Sequence, residues 1–261
     1  MTGQARSPLG IVVSLTCILV LWWLSVLLFH PRPVILPGPD RVLAELWAII
    51  PTVAFATDLL TSLRELVLGF AIGSSAGVVT GLLIARNKSI RVVVGPILDG
   101  LRFVVPFSLV PLVVVWFGIS LTGKVFVVAY ACYFVVVVNT ATAINNIDPL
   151  LMKAAAMLGL RGIRLARQVI LPAAMPRILV GLQAALGFAW VSVIAAEYVG
   201  ANAGIGYYIT NAQSGLETDK VMAGMVVIGV IGSCCSSLLA VLQRRAVGYQ
   251  AGMPDKRKGL A

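Results

Sequence analysis

Long apolar runs alternate along the chain with short stretches that are polar, basic or marked by proline. A membrane-spanning helix needs about 20 apolar residues to cross roughly 30 Å of hydrocarbon. Six runs reach that length: about Leu9 to Phe29, Thr61 to Ile84, Val92 to Phe117, Val125 to Ile144, Ile178 to Val199 and Val221 to Leu242. The first is long for a signal-peptide core and no small-residue cleavage site follows it, so it reads as an uncleaved anchor. Pro31 to Pro39 forms a proline-rich loop, and Asp40 to Asp58 predicts an interfacial helix carrying Trp47. The third run is interrupted by Pro106 and Pro111. No strand alternation competes with these helices. The predicted fold is an all-α polytopic membrane bundle of six transmembrane helices. Residues 1–58 form an N-terminal anchor and extracytoplasmic loop, 59–245 the core, and 246–261 a tail.

Composition agrees. Of 261 residues 59% are hydrophobic and 11% charged, against about 25% charged in a soluble domain, which excludes a water-soluble enzyme. The formal net charge of +10 could suggest nucleic acid, but the bases sit in short loops between apolar runs, as the positive-inside rule describes. With the N-terminus inside, fourteen of the twenty Lys and Arg fall on the cytoplasmic side, including Arg6, Arg86, Lys88, Arg91, Lys153, Arg161, Arg164, Arg167 and Arg177. Arg244, Arg245, Lys256, Arg257 and Lys258 complete that set, while Arg32, Arg41, Lys124 and Lys220 lie outside. Both termini are therefore expected to be cytoplasmic, with lipid as the surrounding partner and no nucleic acid. Cys17, Cys132, Cys234 and Cys235 lie inside apolar runs without a CxxC, and His30 is the single histidine. Neither a metal site nor a Ser-His-Asp triad can be assembled from them, so no metal and no catalytic residue is assigned.

Two segments stand out. Gly69, Gly73, Gly77 and Gly81 recur every four residues, which stacks them on one helix face and admits a second helix backbone at close range. The other is the polar stretch from Asn145 to Arg177. Asp148-Pro149 starts a short helix that ends at Gly159, a residue suited to a left-handed cap. A second short basic helix should run to about Ile170 and stop at Pro172. Taken alone, this is an amphipathic helix pair that could lie on anionic headgroups.

The stretch resembles the EAA motif of ABC-importer permeases, E-A-A-x3-G-x9-I-x-L-P. Here Lys153-Ala154-Ala155 is followed by Gly159, Val169 and Leu171-Pro172 at the motif's spacing. Lys153 replaces the motif's Glu and Val169 its Ile. The likeness extends over about Thr61 to Arg245, through Pro96–Pro106, Val113–Ile119 and Ala195–Asp219, to the taurine, alkanesulfonate and nitrate importer permeases. The resemblance implies a bacterial inner-membrane permease subunit that pairs with a second copy as a homodimer. It also implies two ABC ATPase subunits beneath the pair and an extracytoplasmic solute-binding protein that delivers the substrate. The motif would form the coupling helix seated on the ATPase, with Lys153, Ala154, Ala155, Gly159, Val169, Leu171 and Pro172 as its residues. ATP and Mg would sit on the partner subunits, with no cofactor in this chain. The implied substrate is taurine or another sulfonate, with nitrate or a thiamine-type precursor as alternatives.

The chain carries no ATPase machinery of its own. Gly118-x4-Gly123-Lys124 imitates a phosphate-binding loop, but Val125 stands where Ser or Thr is required and no strand precedes it. Ionisable groups inside spans are candidates for function. Asp99 and Arg102 are three apart and can pair, Arg64 and Glu65 open the second span, and Glu197 near the outer end of the fifth either packs or lines the translocation path. Arg102, Asn139, Trp190, Ser192 and Glu197 are the candidate path residues. A secondary transporter would show two similar halves and a broken helix with midplane charges, and a membrane enzyme would need paired carboxylates or a metal cluster. The sequence displays neither pattern.

Overall fold

The computed structural model describes residues 8–32 and 34–247, and every described element is helical. In chain order these are α1 (Pro8–Phe29), α2 (Pro39–Ile49), α3 (Val53–Arg86), α4 (Lys88–Leu101), α5 (Pro106–Phe117) and α6 (Leu121–Asn145). Then follow α7 (Pro149–Met157), α8 (Gly162–Leu165), a π-helical turn (Ala166–Ile170), α9 (Leu171–Gly200), α10 (Ile205–Ser214) and α11 (Thr218–Val247). Arg6, Lys256, Arg257 and Lys258, counted above toward orientation, lie outside the described residues, as does the tail from 248 onward.

Four helices are long and apolar enough to cross a membrane: Val53–Arg86, Leu121–Asn145, Gly162–Gly200 and Thr218–Gln243. A fifth crossing comes from α4 and α5 together, which are bent by 93° rather than forming one interrupted helix. The cause is local. Pro106 disfavours a helical conformation at the residue before it, and Val105 is accordingly extended, with ψ 130°. Pro111 lies within α5 and Pro96 within α4 without ending either helix. The predicted interfacial helix also divides. Its first part is α2, with Trp47 almost fully exposed. After Pro51 the chain restarts at Val53, where the Thr52 hydroxyl caps α3 by accepting the Phe55 amide at 3.3 Å. Asp58 thus belongs to the spanning helix, which begins well before the expected Thr61.

The centre of the bundle is the contact of α3 with α6. All four seam glycines are buried, and each faces a backbone carbonyl of α6: Gly69 meets Val125, Gly73 meets Ala129, Gly77 meets Tyr133 and Gly81 meets Val137. The sequence offset is 56 in every pair, so both helices run in the same direction with a matched four-residue register. A methyl group on Gly69 would approach the Val128 side chain to 2.5 Å, one on Gly81 would approach Thr140 to 2.7 Å, and one on Gly73 would overlap the Ala129 carbonyl. Since α3 and α6 are parallel, α4 and α5 must carry the chain back to the end where α3 began. Helix α9 then packs on α6 in the opposite sense, with Ala185 beside Cys132 and, nearer the α6 C-terminus, Ile178 and Ala174 beside Ala143.

Overpacking a tight interface typically costs about 1–3 kcal/mol. Gly73→Ala should lower the unfolding temperature of the detergent-purified protein and Gly73→Val should abolish recovery. Gly95→Ala, where no atom lies within 4 Å of the added methyl, should be neutral. An equally tolerated Gly73→Val would contradict the seam.

Candidate functional site

Three polar regions interrupt the apolar bundle, one at each end and one at mid-depth. At the end where α3 and α6 finish lies the loop with the candidate coupling residues. The Asp148 carboxylate caps α7 by accepting the Leu150 amide at 2.8 Å. Its C-terminus is a paired turn: Leu160 N–H donates to Ala155 O at 3.1 Å and Gly159 N–H to Ala156 O at 3.0 Å. With Gly159 at φ +73°, this is a Schellman cap, which requires a left-handed residue at that position. The expected glycine elbow is present, with a second positive φ at Gly162 (+63°).

Beyond the elbow the structure differs from expectation. Pro172 does not stop a helix. It sits in the first turn of α9, where its missing amide matters least, and α8, the π-turn and α9 form one continuous rod from Gly162 to Gly200. Val169 and Leu171 lie half-buried along that rod. Nor do the alanines share one environment. Ala154, Ala156 and Lys153 are exposed, whereas Ala155 is buried against its own protomer and offers nothing to a partner. Leu150, Met157, Leu158 and Ile163 add exposed apolar surface around the elbow. Two arginines brace this loop on backbone oxygens. Arg86, at the end of α3, donates to Gly162 O at 2.7 Å, and Arg177 donates to Asn146 O at 3.2 Å.

The opposite end holds a buried polar cluster centred on the start of α10. Gly204 N–H donates to Asp58 at 2.8 Å, Ile205 N–H to the Ser62 hydroxyl at 2.9 Å and Gly206 N–H to Glu197 at 2.7 Å. The Ser62 hydroxyl in turn donates to the other Glu197 oxygen at 2.6 Å. Three successive amides that a helix start leaves unpaired are thus capped by side chains from α3 and α9. Glu197 is 1% exposed and both its carboxylate oxygens accept these hydrogen bonds, an arrangement that fits the packing alternative of its two readings. A side chain on Gly204 or Gly206 would collide with it, so the three residues form one unit. Glu65, which opens the second predicted span beside Arg64, pairs elsewhere. It accepts from Lys124 at 2.7 Å, joining α3 to the first turn of α6.

At mid-depth the bend between α4 and α5 opens a cavity of about 340 Å³, lined by Arg102, Phe103, Tyr130, Phe134, Asn139 and Phe188 among others. Tyr130 and Asn139 are the tenth and nineteenth residues of the 25 in α6, so the cavity sits in the middle of that helix. Of the candidate path residues, Arg102 and Asn139 meet here. Trp190 does not: its indole N–H donates to Ile228 O at 3.1 Å and its ring lies over Gly232, between α9 and α11. Ser192 is buried within the bundle, away from this cavity. Arg102 pairs with Asp99 at 3.5 Å, as the i, i+3 spacing predicts, and the side chains are 41% and 64% exposed. An Asp or Arg at the centre of a bilayer costs about 2.5–3.5 kcal/mol on insertion scales, so a pair this open does not face hydrocarbon. This side of the protomer faces water or another subunit. The sequence singles out both residues, but their mid-depth position depends on the bend at Val105. Sequence reasoning missed Asp58, Ser62, Gly204 and Gly206 as partners of Glu197. Only the crowding of small residues in GANAGIG hinted at a close approach.

The profile describing binding-protein-dependent transport system inner membrane components matches residues 73–247. The aliphatic sulfonates transport permease protein SsuC of Escherichia coli is 35% identical over 91% of this chain and 88% of its own length. The taurine transport system permease protein TauC of the same organism is 32% identical, covering 89% of this chain and 86% of the relative. Among solved structures, inward-facing MetNI methionine ABC transporter aligns with a TM-score of 0.62 at 18% identity, over 73% of this chain and 93% of that one, and shows the fold.

If Glu197 is a cap rather than a path residue, Glu197→Ala should destabilise the protein by about 2–4 kcal/mol, since several buried donors lose their acceptor together. Glu197→Gln should recover part of that. Transport per folded molecule should stay constant; a change in solute preference without loss of stability would return Glu197 to the path.

Proposed function

Because the chain belongs to the binding-protein-dependent transport system inner membrane components, we propose that it forms half of a translocation path for a small sulfonate such as taurine. It is a permease subunit of an ABC importer in the inner membrane, a transport component and not an enzyme. ATPase subunits and a solute-binding protein are the partners its family implies. The open Asp99–Arg102 pair beside the mid-depth cavity carries the reading of the path. A cation, an amide and four aromatic side chains suit a small anion with an apolar or ammonium body. The sulfonate choice is supported by the named relatives TauC and SsuC.

The second copy of this chain covers the open side of the cavity, giving a homodimeric pair with the path between the subunits. Each copy crosses the membrane six times, with α1 as the first crossing and both termini cytoplasmic. Supporting this, Arg86, Arg91, Lys153, Arg161, Arg164, Arg167 and Arg177 lie on elements that start or finish at the same end of the bundle, as the parallel α3–α6 pair requires. At that end the elbow around Lys153, Ala154 and Gly159 seats on the ATPase, which holds ATP and Mg. Ala155 and Val169 shape the loop from within, while Leu171 and Pro172 join it to the spanning rod.

Affinity capture of the tagged protein from solubilised membranes tests the coupling role. ATPase recovery should fall at least tenfold with Gly159→Pro, which cannot adopt φ +73°, and with Ala154→Trp, which bulks the exposed face. Ala155→Trp should instead lower the yield of folded protein. Lys153→Glu should be tolerated. Unchanged ATPase recovery with Gly159→Pro and Ala154→Trp would remove the coupling assignment, and a non-identical permease in the captured complex would remove the homodimer.

A further inference from the structure

We propose that Arg102 is the anion-selecting residue of the path and that Asp99 is its resident counter-ion, exchanged for the solute's anionic group during each passage. The inference rests on the reading of the mid-depth cavity as part of the path. Arg102 is the one charged residue lining that cavity, and Asp99 stands behind it on α4, outside the lining. The guanidinium is held on two sides: Asp99 lies at 3.5 Å and the Phe103 ring centroid at 5.1 Å. The 3.5 Å separation is longer than a well-formed charge-assisted hydrogen bond of about 2.7–2.9 Å, so the pair is made but loose.

A bare guanidinium at mid-depth would be costly to bury and would hold an anion too strongly to release it. Conduction needs binding favourable enough to admit the solute and weak enough to let it leave. A resident carboxylate meets both demands. When an anion approaches from the cavity, the guanidinium turns from Asp99 to the newcomer and keeps a negative partner throughout. When the solute moves on, Asp99 recaptures the charge and favours release. The fork of Arg donors matches two oxygens of a sulfonate or carboxylate. The Tyr130, Phe134 and Phe188 walls accept a short carbon body or an ammonium group. The ligand class is a small organic molecule bearing one anionic group, and the bend after Leu101 positions both charges for it.

The test uses the full complex with its ATPase and binding protein in proteoliposomes, following radiolabelled taurine and ethanesulfonate. Arg102→Gln should lower flux of both by about tenfold or more, with Arg102→Lys retaining a substantial part. Asp99→Asn should lower the half-saturating concentration and the maximal rate together, the signature of a solute held too tightly. A merely structural ion pair predicts the opposite for Asp99→Asn: a reduced rate with unchanged half-saturation. ATPase recovery checks assembly of each variant. If Arg102→Gln does not assemble, Arg102→Lys and Asp99→Asn still decide. Wild-type flux with undiminished transport in Arg102→Gln, or with unchanged half-saturation in Asp99→Asn, overturns this inference alone. A wild-type complex that moves neither sulfonate overturns both the sulfonate reading and this one.

Discussion

The backbone-to-backbone contact of α3 and α6 is the constraint from which the remaining geometry follows. Within a membrane there is little hydrophobic drive to bring one helix to another, so association depends on close packing. Four glycines in register with four carbonyls supply that packing over about half the length of α6. Because the register is parallel, the chain has to return between the two helices, and it returns through a bent pair instead of a straight span. The bend in turn leaves a cavity and an ion pair at mid-depth. A straight third helix would have carried Arg102 past that level and closed the space that Phe103, Tyr130 and Asn139 now line.

The same parallel pair sets the ends of the molecule apart. At the finish of both helices the loop is braced to α3 by Arg86 and to α6 by Arg177 through backbone oxygens, contacts that depend on the loop's shape more than on its sequence. At the other end Asp58, Ser62 and Glu65 lie on one face of α3 and bind α10 and Lys124. Helix α3 therefore connects the loop at one end of the bundle to the polar cluster at the other. The central section of that helix is held against the carbonyls of α6 at close range.

Much of this was legible in the residues. The glycine spacing announced the seam, the Lys153-to-Pro172 spacing announced the loop, and the Asp99–Arg102 pair followed from helical periodicity. What escaped were outcomes of tertiary contact. Pro172 looked like a stop because proline ends helices in their interiors, whereas the π-turn before it lets the helix continue with Pro172 in its first turn. Glu197 could be read as packing or as lining the path, because a charge in a span is costly either way. Its two oxygens accept from the Ser62 hydroxyl of α3 and the Gly206 amide of α10, a pairing no local pattern encodes. Ala155 looked identical to Ala154, and only the direction of the turn separates the buried one from the exposed one.

The Schellman cap at Gly159 bears on how often the coupling contact can be made and broken. Its two hydrogen bonds are internal to the loop and exist without any second protein. The loop is thus presented already ordered, and association does not bear the conformational entropy of shaping it. In the coupling role proposed above, so small an ordering cost would leave the contact with a partner both firm and reversible.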